Sequence, residues 1–306
     1  MLLACNRDTL RTFVVDSPLT EDARGVLYKL PKLRKLWTTI RGPTLLPRVT
    51  LPDLEAVYIQ WDSGCDWLQG FREATIGKLK TVVLRPTSES TRIGNFLEEF
   101  QSTALTTSAQ STLSKFTFYT PQPWTPNYTS LLGFGQMTSL EIEFSCYINC
   151  SSNVDDDIVI DLAQAMPKLE ILQLGRHPCR AVRGVTFKGL IALALHCPQL
   201  SKLRVHFQAN RLAEATSITE PPSTPDPTAV IPQTNCALTD LQVGETPISE
   251  SSVLAVGLTL LQIFPKILNI EYISPQWGSV AEMVKLSKRI GGHIHHASKS
   301  HLPLPP

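Results

Sequence analysis

The chain holds 306 residues, with 28 Lys and Arg against 27 Asp and Glu, a net charge of +1. That balance excludes a general electrostatic pull toward nucleic acid or membrane surfaces. The 42% of hydrophobic residues is enough for a sizeable core, and seven scattered cysteines in no tight framework read as reduced thiols of a cytoplasmic or nuclear protein.

From the N-terminus onward, the chain returns ten times to one pattern: an apolar residue, another three further on, and a third two after that. The triplets are Leu10/Phe13/Val15, Leu33/Leu36/Thr38, Leu54/Val57/Ile59, Leu79/Val82/Leu84 and Leu113/Phe116/Phe118. They continue as Met137/Leu140/Ile142, Leu169/Leu172/Leu174, Leu200/Leu203/Val205, Leu238/Leu241/Val243 and Ile267/Ile270/Tyr272. No helix face holds positions one, four and six together. In a short strand, four and six share a face and one sits where the chain comes in. The copies recur every 21 to 38 residues or so, against roughly 20–29 in leucine-rich repeats. The pattern predicts one elongated α/β leucine-rich-repeat solenoid over 1–290, of about ten irregular repeats. A curved parallel sheet would form its concave face, with helices and loops on the convex face. Pro31, Pro52, Pro167, Pro198 and Pro265 each precede a triplet, where they are expected to end a helix and set the chain extended.

Between the triplets, residues 2–5 read as the last turn of a helix, so the chain is expected to be a piece of a longer one. That apolar run is too short for a signal peptide. Residues 20–30 read as a short helix, with Thr20 as N-cap and Glu21-Asp22 in its positive first turn. Helical spacing recurs through Trp67, Leu68, Phe71 and Ile76, and again from Thr91 through Ile93, Phe96, Leu97 and Phe100. A polar connection follows over 102–111, and Pro121, Pro123 and Pro126 make a rigid loop with Trp124 and Tyr128. After an irregular excursion at 146–153, residues 154–166 form a helix with Ile158, Leu162 and Met166 beneath. The helix over 185–196 turns Phe187, Leu190, Ile191, Ala194 and Leu195 inward. Residues 208–235 hold five prolines and are expected as an inserted, disordered loop. Helices follow over 249–264 and 279–290; the second stops at Gly291-Gly292, leaving 291–306 as a flexible tail. The longest apolar segment, 253–264, is too short to span a membrane.

Two junctions carry a family resemblance. Leu195-His196-Cys197-Pro198-Gln199-Leu200-Ser201-Lys202-Leu203 resembles the cysteine-containing repeat common in the large fungal families of F-box proteins, and Ala165-Met166-Pro167-Lys168-Leu169 is the same junction without the cysteine. The resemblance covers roughly residues 5–290. It implies substrate recognition in an SCF-type ubiquitin ligase: an F-box docks on an adaptor, the repeats hold the target, and other subunits do the chemistry by proximity. The chain departs from the family in two ways. No F-box segment occurs within it, and the asparagine ladder expected beyond each strand is replaced by Asp62, Thr87, His177, Gln208 and Thr246. A stand-alone repeat scaffold with no link to ubiquitin is the alternative.

Residues between the last two apolar positions of each strand, and the next outward positions, are the candidate binding set. Trp37, Tyr58, Gln60, Arg85 and Tyr119 make its early part aromatic, Glu141 and Glu143 its middle acidic, and Gln173, Arg204 and His206 its later part polar to basic. Aromatic and arginine side chains are the usual interface anchors. A second candidate is a basic patch of Arg176, Arg180, Arg183, Lys202 and Arg204, with no Asp or Glu from 176 to 204, suited to an acidic or phosphorylated protein segment.

The remaining constellations point to no chemistry. Asp155-Asp156-Asp157 starts a helix, where dipole stabilisation outweighs a metal site. Cys146-x-x-x-Cys150 lacks a second pair at zinc spacing, and His293, His295 and His296 sit in the tail. Asn127-Tyr128-Thr129 and Asn149-Cys150-Ser151 match glycosylation sequons of no consequence to an intracellular protein. The expectation is a non-enzyme with no cofactor or metal, which binds a protein partner and engages neither membrane nor nucleic acid.

Overall fold

The computed structural model describes residues 7–41, 51–62, 76–87, 95–106, 109–121, 124–144, 154–175, 184–209, 234–244 and 248–299. Ten strands occur among them: β1 (Thr12–Pro18), β2 (Lys35–Ile40), β3 (Ala56–Trp61), β4 (Thr81–Pro86), β5 (Lys115–Thr120), β6 (Ser139–Phe144), β7 (Ile171–Leu174), β8 (Lys202–Arg204), β9 (Asp240–Gly244) and β10 (Asn269–Tyr272). Each coincides with one of the ten triplets. They form a single sheet in sequential order, every neighbouring pair parallel. The middle residues of the triplets stand opposite one another across the whole sheet, Phe13 to Leu36 to Val57 and on to Leu241 and Ile270. Adding one strand per unit in strict order gives an α/β, solenoid-like arrangement.

Six α-helices form the second layer among the described residues: α1 (Glu21–Leu27), α2 (Phe96–Thr106), α3 (Asp156–Ala165), α4 (Phe187–His196), α5 (Val253–Ile263) and α6 (Gln276–Lys299). The expected cap of α1 is present, with the Thr20 side chain accepting from the Ala23 N–H. The core lies between the layers. Leu36, Val57, Val82, Phe116, Leu140, Leu172, Leu203 and Leu241 are all buried, as every second strand residue must be when one sheet face is covered. The expected helix over 65–76 and the 208–235 loop fall almost wholly outside the described residues.

A fourth apolar position, absent from the sequence reading, recurs in seven of the ten units. Leu30, Leu51, Ile76, Phe134, Met166, Cys197 and Phe264 stand three residues before their triplets and are buried. From Met166, Cys197 and Phe264 the carbonyl accepts the N–H of the first triplet residue at 3.1, 3.0 and 3.1 Å. Each closes a tight turn with Pro at its second position, where the fixed φ of proline fits. The prolines therefore sit in turns, not in the extended lead-in expected for them. They do end the helices: Met166, Cys197 and Phe264, each before a proline, leave the α region the proline disfavours, with ψ values of 65, 72 and 77.

A ladder of main-chain carbonyls links successive units just ahead of their strands. The Arg11 carbonyl accepts the N–H groups of Arg34 and Lys35 at 2.7 and 3.0 Å. The same double acceptance recurs at Arg34, Glu55, Lys80, Ser114, Thr138, Glu170, Ser201 and Thr239, each carbonyl binding two successive N–H groups of the following unit. Ser114, Thr138, Ser201 and Thr239 add their hydroxyls to the preceding rung at 3.0–3.2 Å. Short hydroxyl side chains just before a strand are the sequence signature of this ladder.

Three helical expectations need correction. The segment over 102–111 is not purely a connection, because α2 runs on to Thr106. Leu195 is 47% exposed, while Leu193 is buried on the inward side of α4. Gly291 and Gly292 do not end the last helix, since α6 continues through both to Lys299. Its Trp277, Val280 and Val284 are buried against the end of the sheet and α5, closing that end of the core. At the other end β1 pairs only with β2, and its Val14 is 60% exposed.

Cys197 and Cys236 are free, fully buried thiols that donate to carbonyls of the preceding turns. Burial pushes Cys197 up from 9.0 to about 12. A thiol whose folded pKa lies above its unfolded one stabilises the fold fully below the unfolded value and loses that contribution as pH rises through the folded one. Stability should therefore fall between pH 9 and 12, by about 1.4 kcal/mol per pH unit for one proton. Urea titrations across that range check this. Cys197→Ala should flatten the slope by about one proton, and an unchanged slope would contradict the assignment.

Candidate functional site: the open face of the sheet

The sheet face away from the helices is built from alternate strand residues, and its central row is in unbroken register. Val14, Trp37, Tyr58, Val83, Thr117, Glu141, Gln173, Arg204, Gln242 and Glu271 stand side by side. Thr39, Gln60 and Arg85 continue a second row, and Tyr119 pairs with Glu143 further along. The sheet thus brings the sequence-derived binding residues onto one surface, except that Gln173 is buried in it and His206 lies off its edge. Gln173 is only 3% exposed, and Thr39 is buried as well. His206 lies past the end of β8 against 184–185: its carbonyl accepts the Val185 N–H at 2.9 Å, and a side chain at Gly184 would come within 2.6 Å of its ring.

The two halves of this face differ. On β2 and β3, Trp37 stacks on Tyr58 with ring centroids 5.1 Å apart and planes 14° from parallel, yet Trp37 stays 40% exposed. With Val14 on one side and Val83 on the other, the pair forms an apolar strip across four strands. Arg85 lies over the Tyr119 ring at 6.0 Å, within cation–π range.

On β6 to β9 the charges are spent on each other. The Arg204 guanidinium donates to a Glu143 carboxylate oxygen at 2.8 Å and, through Nε, to the Gln242 side-chain oxygen. The guanidinium reaches from β8 across β7 to β6. Glu141 accepts from the Ser139 hydroxyl at 3.0 Å. Asp240 accepts from Thr239 and Asn269, and those hydrogen bonds, the Thr239 hydroxyl first, hold its carboxyl below the usual range. The acidic middle and the basic later part expected from the sequence therefore meet in the Glu143–Arg204 pair.

The basic patch fares differently from expectation. Arg176, Arg180 and Arg183 lie outside the described residues. Lys202 stands opposite Asp240, Arg204 is committed to Glu143, and Lys188 lies 3.8 Å from Asp157. The uncompensated cations are elsewhere. Lys35 on β2 and Lys115 on β5 occupy outward positions one step before the central row, and both are exposed. Period-two alternation could have found them, because the residue just before each middle leucine points the same way as the one just after it.

The acidic triplet turns out to be structural. Asp155 caps α3 by accepting the Ile158 N–H at 3.1 Å. Asp156 reaches the next unit, where it accepts the Thr186 and Gly189 N–H groups at 2.7 and 2.9 Å and the Thr186 hydroxyl at 2.6 Å. Among the described residues no cluster of His, Cys, Asp or Glu could hold a metal ion, and no helix is long and apolar enough to cross a membrane.

No family model matches the chain, and no curated protein matches it in sequence.

Proposed function

We propose that the ten units are leucine-rich repeats and that the open face of their sheet binds a protein partner. In this reading the chain is the substrate-recognition part of an F-box protein of an SCF-type ubiquitin ligase, non-catalytic and acting in the cytoplasm or nucleus. The observation that carries the binding reading is the Trp37–Tyr58 pair. A tryptophan 40% exposed, stacked and flanked by Val14 and Val83, is an unburied apolar strip of the kind interfaces cover. The ligase link rests on the repeat resemblance and on the Met166 and Cys197 junctions, both buried as the repeat pattern requires.

The full natural chain containing residues 1–306, tagged and expressed in cells, tests both parts. The ligase reading expects recovery of the F-box adaptor together with ubiquitin-modified targets. Trp37→Ala with Tyr58→Ala should cut target recovery at least tenfold and leave adaptor recovery unchanged. Failure to recover the adaptor while target capture stays Trp37-dependent would favour the stand-alone scaffold. Target capture indifferent to both substitutions would sink the open face as the binding surface.

A further inference from the structure

We propose that the outward face of β2 to β5 selects an acidic segment of its partner: an extended peptide with an aliphatic side chain and, a few residues on, one or two carboxylates. This rests on the reading of that face as a protein-binding surface and specifies what it binds. Charge is the first argument. Lys35, Arg85 and Lys115 occupy outward strand positions of β2, β4 and β5, and no Asp or Glu occupies any outward strand position of these four strands. Among the described residues none of the three cations has a carboxylate within ion-pair distance, whereas Arg204 and Lys188 do. Asp16 on β1, Asp62 just past β3, and Glu141 and the Arg204-paired Glu143 on β6 border the surface and limit it to a short acidic stretch. Three like charges on a face otherwise built of Ala, Val, Thr, Gln and aromatic residues attract a ligand of opposite sign and orient it.

Ring geometry decides between the two anionic polymers such a face could attract. The Trp37 and Tyr58 rings are nearly parallel at 5.1 Å, close to the spacing of about 4.8 Å between neighbouring strands. Their planes therefore stand upright and are stacked across the strands, with edges toward solvent. A single-stranded nucleic acid needs ring faces laid open as platforms for its bases. Upright rings instead make the wall of a slot, and the side of Trp37 next to exposed Val14 suits an aliphatic chain.

Spacing follows from the sheet. From Trp37 on β2 to Arg85 on β4 is two strand steps across and two residues along, about 12 Å, and an extended peptide covers that in about three to four residues. Lys115 is one strand further but pairs with Thr81, four residues before Arg85, so it lies about 14 Å from Arg85 and a second carboxylate belongs about four residues beyond the first. The guanidinium of Arg85, steadied over Tyr119, is suited to a two-pronged carboxylate contact.

The test is fluorescence anisotropy on the full chain with a labelled undecapeptide carrying leucine at its third position and glutamates at its sixth and tenth. Matched probes carry glutamine or lysine in place of both glutamates, and a ten-nucleotide oligouridylate is the nucleic-acid arm. The glutamate peptide should bind at least tenfold more tightly than the glutamine peptide. That margin should vanish in about 0.5 M salt, as screening of exposed charges requires, and in Arg85→Ala/Lys115→Ala. Equal binding of the glutamate and glutamine peptides, tighter binding of oligouridylate, or no binding by any peptide would each overturn the acidic selection. The open face as a protein-binding surface is judged separately, by whether target capture in cells depends on Trp37.

Discussion

Asp156→Ala should lower the unfolding free energy by about 3 kcal/mol, although Asp156 lies in the first turn of a helix, where an alanine substitution usually costs little. The carboxylate is the shared acceptor for two N–H groups and a hydroxyl at the start of α4, thirty residues away. Removing it strands the N–H groups of Thr186 and Gly189 in a site where Thr186 is 2% exposed, and buried donors without acceptors are among the costliest single defects. Asp156→Asn keeps the oxygen that accepts both N–H groups, so its cost should be about 1 kcal/mol. Gly189 belongs to the same device, because a side chain there would come within 2.6 Å of the Asp156 oxygen. Equilibrium urea unfolding of both variants gives the numbers. If Asp156→Ala unfolds like the wild type, α3 and α4 are not tied through this carboxylate.

Phe118→Ala should cost about 4 kcal/mol, within the range for emptying an aromatic core position. Phe118 is fully buried on β5 and lies 4.6 Å from the Phe96 ring, 4.7 Å from Trp124 and 6.4 Å from Trp61. This cluster joins β3, β5 and the loop at Trp124 to α2, so the vacated volume cannot be refilled by one neighbour. Trp61 and Trp124 report on it directly: their emission should shift to the red in Phe118→Ala before any unfolding. Phe118→Leu restores most of the volume and should cost less than half as much. Equal losses for the two variants would mean that the aromatic contacts, not the filled volume, hold the cluster together.

The strands were legible because their signal is local and repeats. A period-two alternation anchored on Leu36, Val57, Val82 and their successors leaves one register that buries every leucine. Helix starts at Thr20 and Asp155 were legible for the same reason, since a cap acts within three residues. What escaped depended on contacts distant in sequence. Nothing near Asp156 announces Thr186, and nothing near Glu143 announces Arg204, which is separated from it by 61 residues. Gln173 looked like its neighbours in the open row, but its burial is set by the side chains of the adjoining strands. The basic patch was a count of charges along the sequence, blind to which carboxylate each one meets. The register of the open row was legible and its charge pairing was not: among the described residues, Lys35, Arg85 and Lys115 on β2, β4 and β5 have no carboxylate within ion-pair distance, whereas Arg204 does.

The carbonyl ladder has a kinetic consequence. Each rung links a unit only to the one after it, from Arg11 to Thr239, so amide protons should exchange with solvent in a graded order along the array. Protection should be greatest around β5 and β6, where the aromatic cluster lies on one side and α3 on the other. It should fade toward β1 and β10, the end strands of the described sheet, each paired with a single neighbour there.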